Sequence, residues 1–177
     1  MRRYNLTANM YDARYRDEQQ AKYKAALKEL SLNPNCTILD VGCGSGLLLE
    51  TVAGHIKTIV GIDISKELLL LAKKQAQKHD NINLVLADAD YLPFKADFFD
   101  TLFAFTILQN MPNPVATLKE LQFPACADAC FIVTGLKAAV SAKKLDRILK
   151  KSNLRVLSIQ EDEALRCRVV KAARNSS

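Results

Sequence analysis

Short apolar runs alternate with longer amphipathic stretches from residue 36 onward. The runs predict buried strands at 36–41, 57–62, 83–87, 100–105, 129–134, 154–159 and 165–172. The stretches predict helices at 46–55, 65–78, 115–122 and 138–151. Strands that alternate with helices form βαβ units, so the pattern predicts an α/β fold with a mainly parallel, doubly wound sheet. The last two strands are expected to form a hairpin.

Residues 10–30 contain few helix breakers and predict one further helix. Tyr11, Tyr15 and Lys22 fall within about 40° of one another on this helix, and Glu18 is spaced for an ion pair with Lys22. We expect the helix to lie over the ligand pocket with Tyr11, Tyr15 and Lys22 towards the ligand. A second, apolar stripe suits docking on the sheet and consists of Tyr23, Leu27 and Leu30.

The length of 177 residues predicts a single domain over 1–177, with an N-terminal helical segment (1–31) and a core (32–177). Apolar residues make up 49% and charged residues 25%, as in soluble globular proteins. The sequence has no apolar run long enough for a membrane span and no signal-like start, so we expect a cytoplasmic protein without membrane association. The five cysteines are irregularly spaced and predict buried thiols, with neither a disulfide framework nor a metal site.

Charge is unevenly distributed along the chain. Residues 1–30 carry seven Lys/Arg against four Asp/Glu, residues 31–136 carry seven against eleven, and residues 137–177 carry eleven against four. The basic flanks favour a phosphate-bearing partner such as RNA. Solvated lysines on outer helix faces would give the same distribution.

A glycine-rich turn follows the first strand, in the sequence LDVGCGSG over 39–46. Gly42, Gly44 and Gly46 allow a tight turn and close approach of a ligand to the backbone. Their spacing is G-x-G-x-G, which differs from the G-x-G-x-x-G of dinucleotide-binding enzymes. Asp40 precedes the turn, and its carboxylate would repel a pyrophosphate but attract an ammonium group.

Acidic residues also end the second and third strands. Asp63 lies 19 residues beyond Gly44 and can accept both hydroxyls of a ribose, a device that nicotinamide enzymes share. Asp88 can accept a bond from an adenine amine, while the Ala89 N–H can bond a ring nitrogen. Tyr91 and Leu92 are expected to flank the adenine.

The fourth strand continues into the segment FTILQNMPNP over 105–114. It contains no His, Cys, Lys or carboxylate, and therefore no evident general base. We expect Thr106, Gln109 and Asn110 to orient the group on which the enzyme acts.

The series LDVGCGSG, GIDIS, ADADYLPF and FDTLFAFTILQNMPNP resembles the class I S-adenosylmethionine-dependent methyltransferases, in their type 11-like branch, over about residues 36–135. The resemblance implies a Rossmann-like, seven-stranded sheet with an antiparallel closing strand. It also implies S-adenosylmethionine as cofactor and S-adenosylhomocysteine as product. It implies that Asp40, Gly42 and Gly44 hold the methionine part, Asp63 the ribose, and Asp88 with Ala89 the adenine. The further candidate cofactor-binding residues are Cys43, Ile64, Phe105, Tyr11, Tyr15 and Lys22.

The chain departs from the family in its acceptor region. The N/D/S-P-P-Y/F motif of base-amino methyltransferases is absent, and the segment from Phe123 to Cys130 is too short for a substrate-capping insertion. The acceptor remains open between RNA, a translation-related protein and a small molecule. A small activator protein or a homodimer is a further possibility. Two alternatives to an enzyme of this kind stay open, a non-catalytic binding subunit and a nicotinamide-dependent oxidoreductase.

Overall fold

The computed structural model of the chain describes residues 8–28, 30 and 32–175, with side chains from residue 16 onward. Helix α1 spans Ala8–Lys28, close to the predicted 10–30. The side chains of Tyr11 and Tyr15 lie outside the described residues, so their expected contacts with the ligand stay predictions. No helix in the described ranges combines the length and the apolar character needed to cross a membrane.

Seven strands form one sheet in the order β3-β2-β1-β4-β5-β7-β6. Every pair from β3 to β5 is parallel, and β7 runs antiparallel to both β5 and β6. The predicted α/β class, mainly parallel sheet and antiparallel closing strand are therefore confirmed. The strands are β1 (Thr37–Val41), β2 (Thr58–Asp63), β3 (Ile82–Leu86), β4 (Phe99–Ala104), β5 (Ala125–Leu136), β6 (Leu154–Gln160) and β7 (Cys167–Arg174).

Side-chain caps fix the starts of three of the helices that connect the strands. The Ser65 hydroxyl accepts the Leu68 N–H at the start of α3, where the predicted helix over 65–78 also begins. Ser141 does the same for α5, and Asn113 for α4. The helices are α2 (Leu47–Val52, continued by a 3₁₀ turn over Ala53–His55), α3 (Lys66–Ala76), α4 (Pro114–Glu120) and α5 (Ala142–Lys151).

Strand residues alternate between two apolar layers, one on each face of the sheet. Ile38 and Phe103 pack with α1 and α2, whereas Leu39 and Leu102 pack with α4 and α5. Successive side chains of a strand point to opposite faces, so a sheet covered on both sides needs near-continuous apolar strands. Tyr23 of the predicted docking stripe is buried in the first layer, with Leu27 and Leu30 against it.

Two elements begin four residues away from the predicted positions. Strand β5 begins at Ala125 because the N–H groups of Phe98 and Phe99 both donate to the Pro124 carbonyl. These bonds extend the pairing of β5 with β4 beyond the register shift between Phe99 and Thr101. Helix α5 begins at Ala142, after the predicted 138, because the Val140 N–H closes a turn on the Leu136 carbonyl.

Candidate active site

The carboxyl ends of β1 to β4 border one cleft with a volume of about 370 Å³. It lies where the strand order reverses between β1 and β4, the position at which open α/β sheets bind ligands. The predicted site residues on its wall are Gly42, Gly44, Asp63, Ile64, Asp88, Ala89, Phe105, Thr106 and Asn110.

The glycine turn adopts a conformation that other residues strongly disfavour. Gly42, Gly44 and Gly46 have φ values of 73°, 58° and 88°. A Cβ on Gly42 would lie 2.6 Å from Ile107 Cγ2 on the opposite wall, whereas a Cβ on Gly44 would meet nothing within 4 Å. Gly42 is therefore needed for packing of the two walls, and Gly44 leaves space inside the cleft.

Asp63 joins this turn to the start of α3. Its Oδ2 accepts the Gly44 N–H at 2.9 Å, and its Oδ1 accepts the Ser65 N–H at 2.8 Å. Burial raises the pKa of this carboxyl, and the backbone N–H donors partly oppose the rise. Each carboxylate oxygen keeps a second lone pair for a ligand hydroxyl.

Asp40 lies beneath the turn in a second, smaller cavity of about 30 Å³, which shares Gly42, Gly44 and Phe105 with the cleft. Its side chain is 2% exposed. Burial, and then the nearby charge of Asp63, raise the pKa of Asp40 to about 8. Burial also raises the pKa of the neighbouring Cys43 thiol well above its usual value. A cation beside Asp40 would relieve the cost of ionising it.

Asp88 follows β3 and accepts the Asp90 N–H at 3.0 Å, which shapes the turn on this wall. The expectation that Tyr91 and Leu92 flank a ligand is wrong for this structure. The Leu92 N–H donates to Glu120 Oε1 at 2.9 Å and its side chain joins the core, so that Tyr91 points outward and is 80% exposed.

Thr106 organises the far end of the cleft from a left-handed backbone conformation, with φ of 59°. Its N–H donates to Thr134 Oγ1 at 2.7 Å, and its hydroxyl accepts from Lys22 Nζ at 3.0 Å. Its carbonyl accepts from Gln109 Nε2 at 2.6 Å and from Asn110 Nδ2 at 3.2 Å. Several polar contacts thus hold this residue in a conformation that is rare outside glycine.

Two predicted site residues line neither the cleft nor the smaller cavity, which Asp40 and Cys43 do line. Lys22 is 1% exposed, and its ammonium group lies between Thr106 Oγ1 and Glu18 Oε1, the latter at 3.4 Å. The predicted Glu18–Lys22 pair is confirmed. Gln109 turns towards the Thr106 carbonyl, and its buried Oε1 has no hydrogen-bond partner among the described residues.

Several lining residues were not anticipated from the sequence. Ile107, Met111 and Pro112 form an apolar rim next to Thr106, and Gln19 and Tyr23 of α1 cover Asp40. The three rim residues lie within the FTILQNMPNP segment, where only the polar residues suggested a role, and Tyr23 lies on the predicted docking stripe of α1. Within the described ranges, no three His, Cys, Asp or Glu residues come together as a possible metal site. All five cysteines are free thiols.

The donor set fits S-adenosylmethionine. A buried carboxyl beneath the turn suits its ammonium group, and the strand-end carboxylates suit a ribose and an adenine. The open space at Gly44 allows the ligand to approach the backbone of the glycine turn closely. The fit rests on side chains that three separate strands bring to one edge of the sheet.

Comparisons with known proteins agree with this geometry. Residues 39–122 match the family described as methyltransferase domain. The demethylmenaquinone methyltransferase of Staphylococcus saprophyticus is 36% identical over 101 residues, which are 55% of this chain and 43% of that protein. The chain therefore spans less than half of this relative's length.

Two solved structures share the fold over nearly the whole chain. One is an S-adenosylmethionine-dependent methyltransferase from Aquifex aeolicus, with a TM-score of 0.82 at 21% identity. The match covers 95% of this chain and 97% of that protein. The other is a Haloferax volcanii methyltransferase solved with the Trm112 methyltransferase activator, with a TM-score of 0.83 at 17% identity. The match covers 97% of this chain and 98% of that protein. Residues 39–122 therefore match a methyltransferase domain, and the chain has the fold of S-adenosylmethionine-dependent methyltransferases.

Proposed function

We propose that the chain transfers a methyl group to an acceptor bound beside Thr106 and the apolar rim. The observation that carries the proposal is the cleft, which has Asp63 and Asp88 on one wall and an uncharged rim of Ile107, Met111 and Pro112, and which adjoins the smaller cavity of Asp40. A bound cofactor would supply an electron-poor methyl carbon attached to a positively charged sulfur. The acceptor atom forms a bond to this carbon as the carbon–sulfur bond breaks, which leaves S-adenosylhomocysteine.

The geometry of the cleft supports a role for each residue on the cofactor side. Asp40 pairs with the ammonium group of the methionine part, and Asp63 accepts the ribose hydroxyls while it holds the glycine turn through the Gly44 N–H. Asp88 and the Ala89 N–H bind the adenine, with Ile64 on the same cleft wall. These contacts position the cofactor, and orientation alone can contribute an effective molarity of about 10⁵ M or more.

The acceptor side works by positioning. Thr106 and Asn110 offer the polar groups on the rim, and Gln109 supports them through the Thr106 carbonyl. No residue from 105 to 114 is a strong base, so the acceptor must lose its proton to water or react as a neutral nucleophile. An uncharged rim favours an uncharged reacting group, whether it belongs to RNA, a translation-related protein or a small molecule. The matched relative is named for a quinone precursor, which supports the small-molecule option.

Labelled methyl transfer tests this function. The protein is incubated with cofactor carrying a labelled methyl group and with separate RNA, protein and small-molecule fractions of a cell extract. We expect label in one fraction, and we expect Asp63→Ala to abolish it. If the protein binds the cofactor but labels no fraction, either alone or co-expressed with an activator, the chain is a non-catalytic binding subunit and the proposal fails.

Asn110→Ala tests the acceptor role within this function. Removing the amide should lower turnover about tenfold or more, because it takes away a polar group next to the reacting atom, while cofactor affinity stays unchanged. Asn33→Ala, in an exposed turn remote from the cleft, is the matched control. Unaltered turnover and acceptor affinity in Asn110→Ala would show that Asn110 does not contact the acceptor.

A second candidate is an enzyme that depends on a small activator protein. The full-length likeness to the Haloferax volcanii methyltransferase solved with its activator supports it. Expressed alone, such a chain should be poorly soluble and inactive, and co-expression with a partner should restore both properties. Full activity of the purified chain, as a monomer or a homodimer, would exclude this dependence.

A further inference from the structure

The outer face of α5 carries a dense group of cations, which we call the α5 face. At 100° per residue its members lie within an arc of about 120°, and all are exposed. The opposite side of the helix buries Leu145, Ile148 and Leu149 in the core. The α5 face consists of Lys143, Lys144, Arg147, Lys150 and Lys151.

Few acidic groups neutralise this face. Asp146 is the only acidic residue in α5, and it pairs with Lys150 at 2.9 Å. Within the part of the chain that the structure describes, the other four cations of the α5 face form no ion pair. Clustered like charges destabilise a protein slightly through repulsion, so an arrangement of this density favours an anionic partner.

An exposed aromatic residue adjoins a segment that is bonded to the end of α5. Phe123 is 58% exposed, and its chain neighbour Gln122 donates from Nε2 to the Ser152 carbonyl at 2.7 Å. Ser152 directly follows Lys151, so this bond ties the segment that carries Phe123 to the C-terminal end of α5. A flat apolar side chain next to cations is the combination that binds unpaired nucleobases.

We propose that the α5 face and Phe123 together dock single-stranded RNA, with phosphates along the helix and a base stacked on the ring. A membrane fits less well, because the apolar residues of α5 face the core and cannot insert. The N-terminal end of α5 follows the carboxyl end of β5, on the same edge of the sheet as the cleft. A bound strand would therefore extend from the cleft edge towards Phe123.

Charge reversal tests the phosphate contacts. The full chain is titrated against a fluorescein-labelled oligoadenylate of about 12 nucleotides, and anisotropy is recorded over a range of salt concentrations. In the variant K143E/R147E/K151E the dissociation constant should rise at least about tenfold, and the slope of log K against log salt should fall by about 2. The variant K73E/K74E/K78E, on and just after α3, changes the net charge equally and should bind nearly as the wild type does.

Phe123→Ala tests the stacking contact separately. It should weaken oligoadenylate binding about fivefold or more but leave the binding of inorganic polyphosphate, which has no bases, unchanged. Tyr91→Ala, which removes the other highly exposed ring, should alter neither. Circular dichroism and cofactor titration verify that each variant is folded. They also distinguish failure of the RNA-docking proposal from failure of the proposed methyl transfer.

Three results would overturn the proposal. The first is equal loss of RNA binding in the α5 and α3 variants, which would indicate an effect of net charge alone. The second is unchanged oligoadenylate binding in Phe123→Ala. The third is tight binding to phosphatidylserine vesicles without binding to RNA, which would make the α5 face a membrane contact.

Discussion

Asp40 is a carboxyl group whose proton affinity changes greatly when the chain folds. Its pKa rises from 3.8 to about 8, first through burial and then through the charge of Asp63. Between these pH values the native state holds a proton that the unfolded state releases. The free energy of unfolding contributed by Asp40 therefore falls as pH rises through this window and is fully lost above about pH 8.

Asp40→Asn should remove this pH dependence. The unfolding free energy of the wild type, relative to that of Asp40→Asn, should fall by a few kcal/mol between about pH 5 and about pH 8.5. Urea denaturation of both proteins measures this difference. Other titrating groups cancel in the difference. A difference that is constant with pH would mean that Asp40 is ionised in the native state.

Cofactor binding should also change the protonation of Asp40. A positively charged amine beside the carboxyl favours its ionised form, so binding near neutral pH should release a proton. Calorimetry in buffers of different ionisation enthalpy measures this release. We expect a buffer-dependent heat in the wild type and a smaller dependence, with weaker binding, in Asp40→Asn. Equal buffer dependence in both proteins would contradict the assigned contact.

Gly42 and Gly44 should respond differently to alanine, although both have positive φ. Gly42→Ala places a Cβ against Ile107 and should lower the free energy of unfolding by about 2–3 kcal/mol. Gly44→Ala meets no protein atom and should cost about 1 kcal/mol, but its methyl group occupies the cleft and should weaken cofactor binding at least about tenfold. Urea denaturation and calorimetry on both variants test the contrast. Equal loss of stability in the two would refute it.

At the scale of elements, α1 is joined to the rest of the site by a buried lysine. Lys22 bonds Thr106 on one side and Glu18 on the other, and Glu18 also lies 3.8 Å from Arg166. Removing Glu18 takes the negative charge away from the buried Lys22 ammonium group. Removing the ammonium group instead leaves the Glu18 carboxylate, which can still reach water.

Glu18→Ala should therefore destabilise the protein more than Lys22→Met does. We expect the double variant to lose less stability than the sum of the two single changes, because the buried cation that Glu18 compensates is then gone. Urea denaturation of all four proteins completes the cycle. Strictly additive effects would show that the two side chains are not coupled.

Elements were predictable where a local signal decided them. The apolar runs located all seven strands, and Ser65 marked the start of α3 because its hydroxyl caps the backbone of its own neighbours. The start of β5 was not predictable, because it depends on two N–H groups of a distant strand that meet the Pro124 carbonyl. Non-local pairing of this kind leaves no trace in the sequence next to it.

The site was predictable in its charged half. Asp40, Asp63 and Asp88 follow or end apolar strands, and parallel strands bring such positions to one edge. Ile107, Met111 and Pro112 were missed because apolar loop residues resemble core residues in sequence. The position of Lys22 depends on how α1 packs, and its partner Thr106 lies 84 residues away.

At the scale of the whole molecule, the strand order explains why one small cleft collects so many of the proposed ligand-binding residues. The chain moves outward from β1 to β3 and then returns to β4, so the loops after neighbouring strands diverge and leave a gap. The proposed cofactor-binding residues come from the outward half, and the apolar rim, where we propose that the acceptor binds, comes from the return half.

Calorimetric titration of the purified chain tests the proposed cofactor site most directly. The account predicts binding of S-adenosylmethionine and S-adenosylhomocysteine with one site per chain, loss of binding in Asp63→Ala, and no heat with NAD. Saturation at about 100 times the dissociation constant should also stabilise the fold by about 2.7 kcal/mol. The account would be contradicted if neither sulfur compound bound, or if NAD bound in their place.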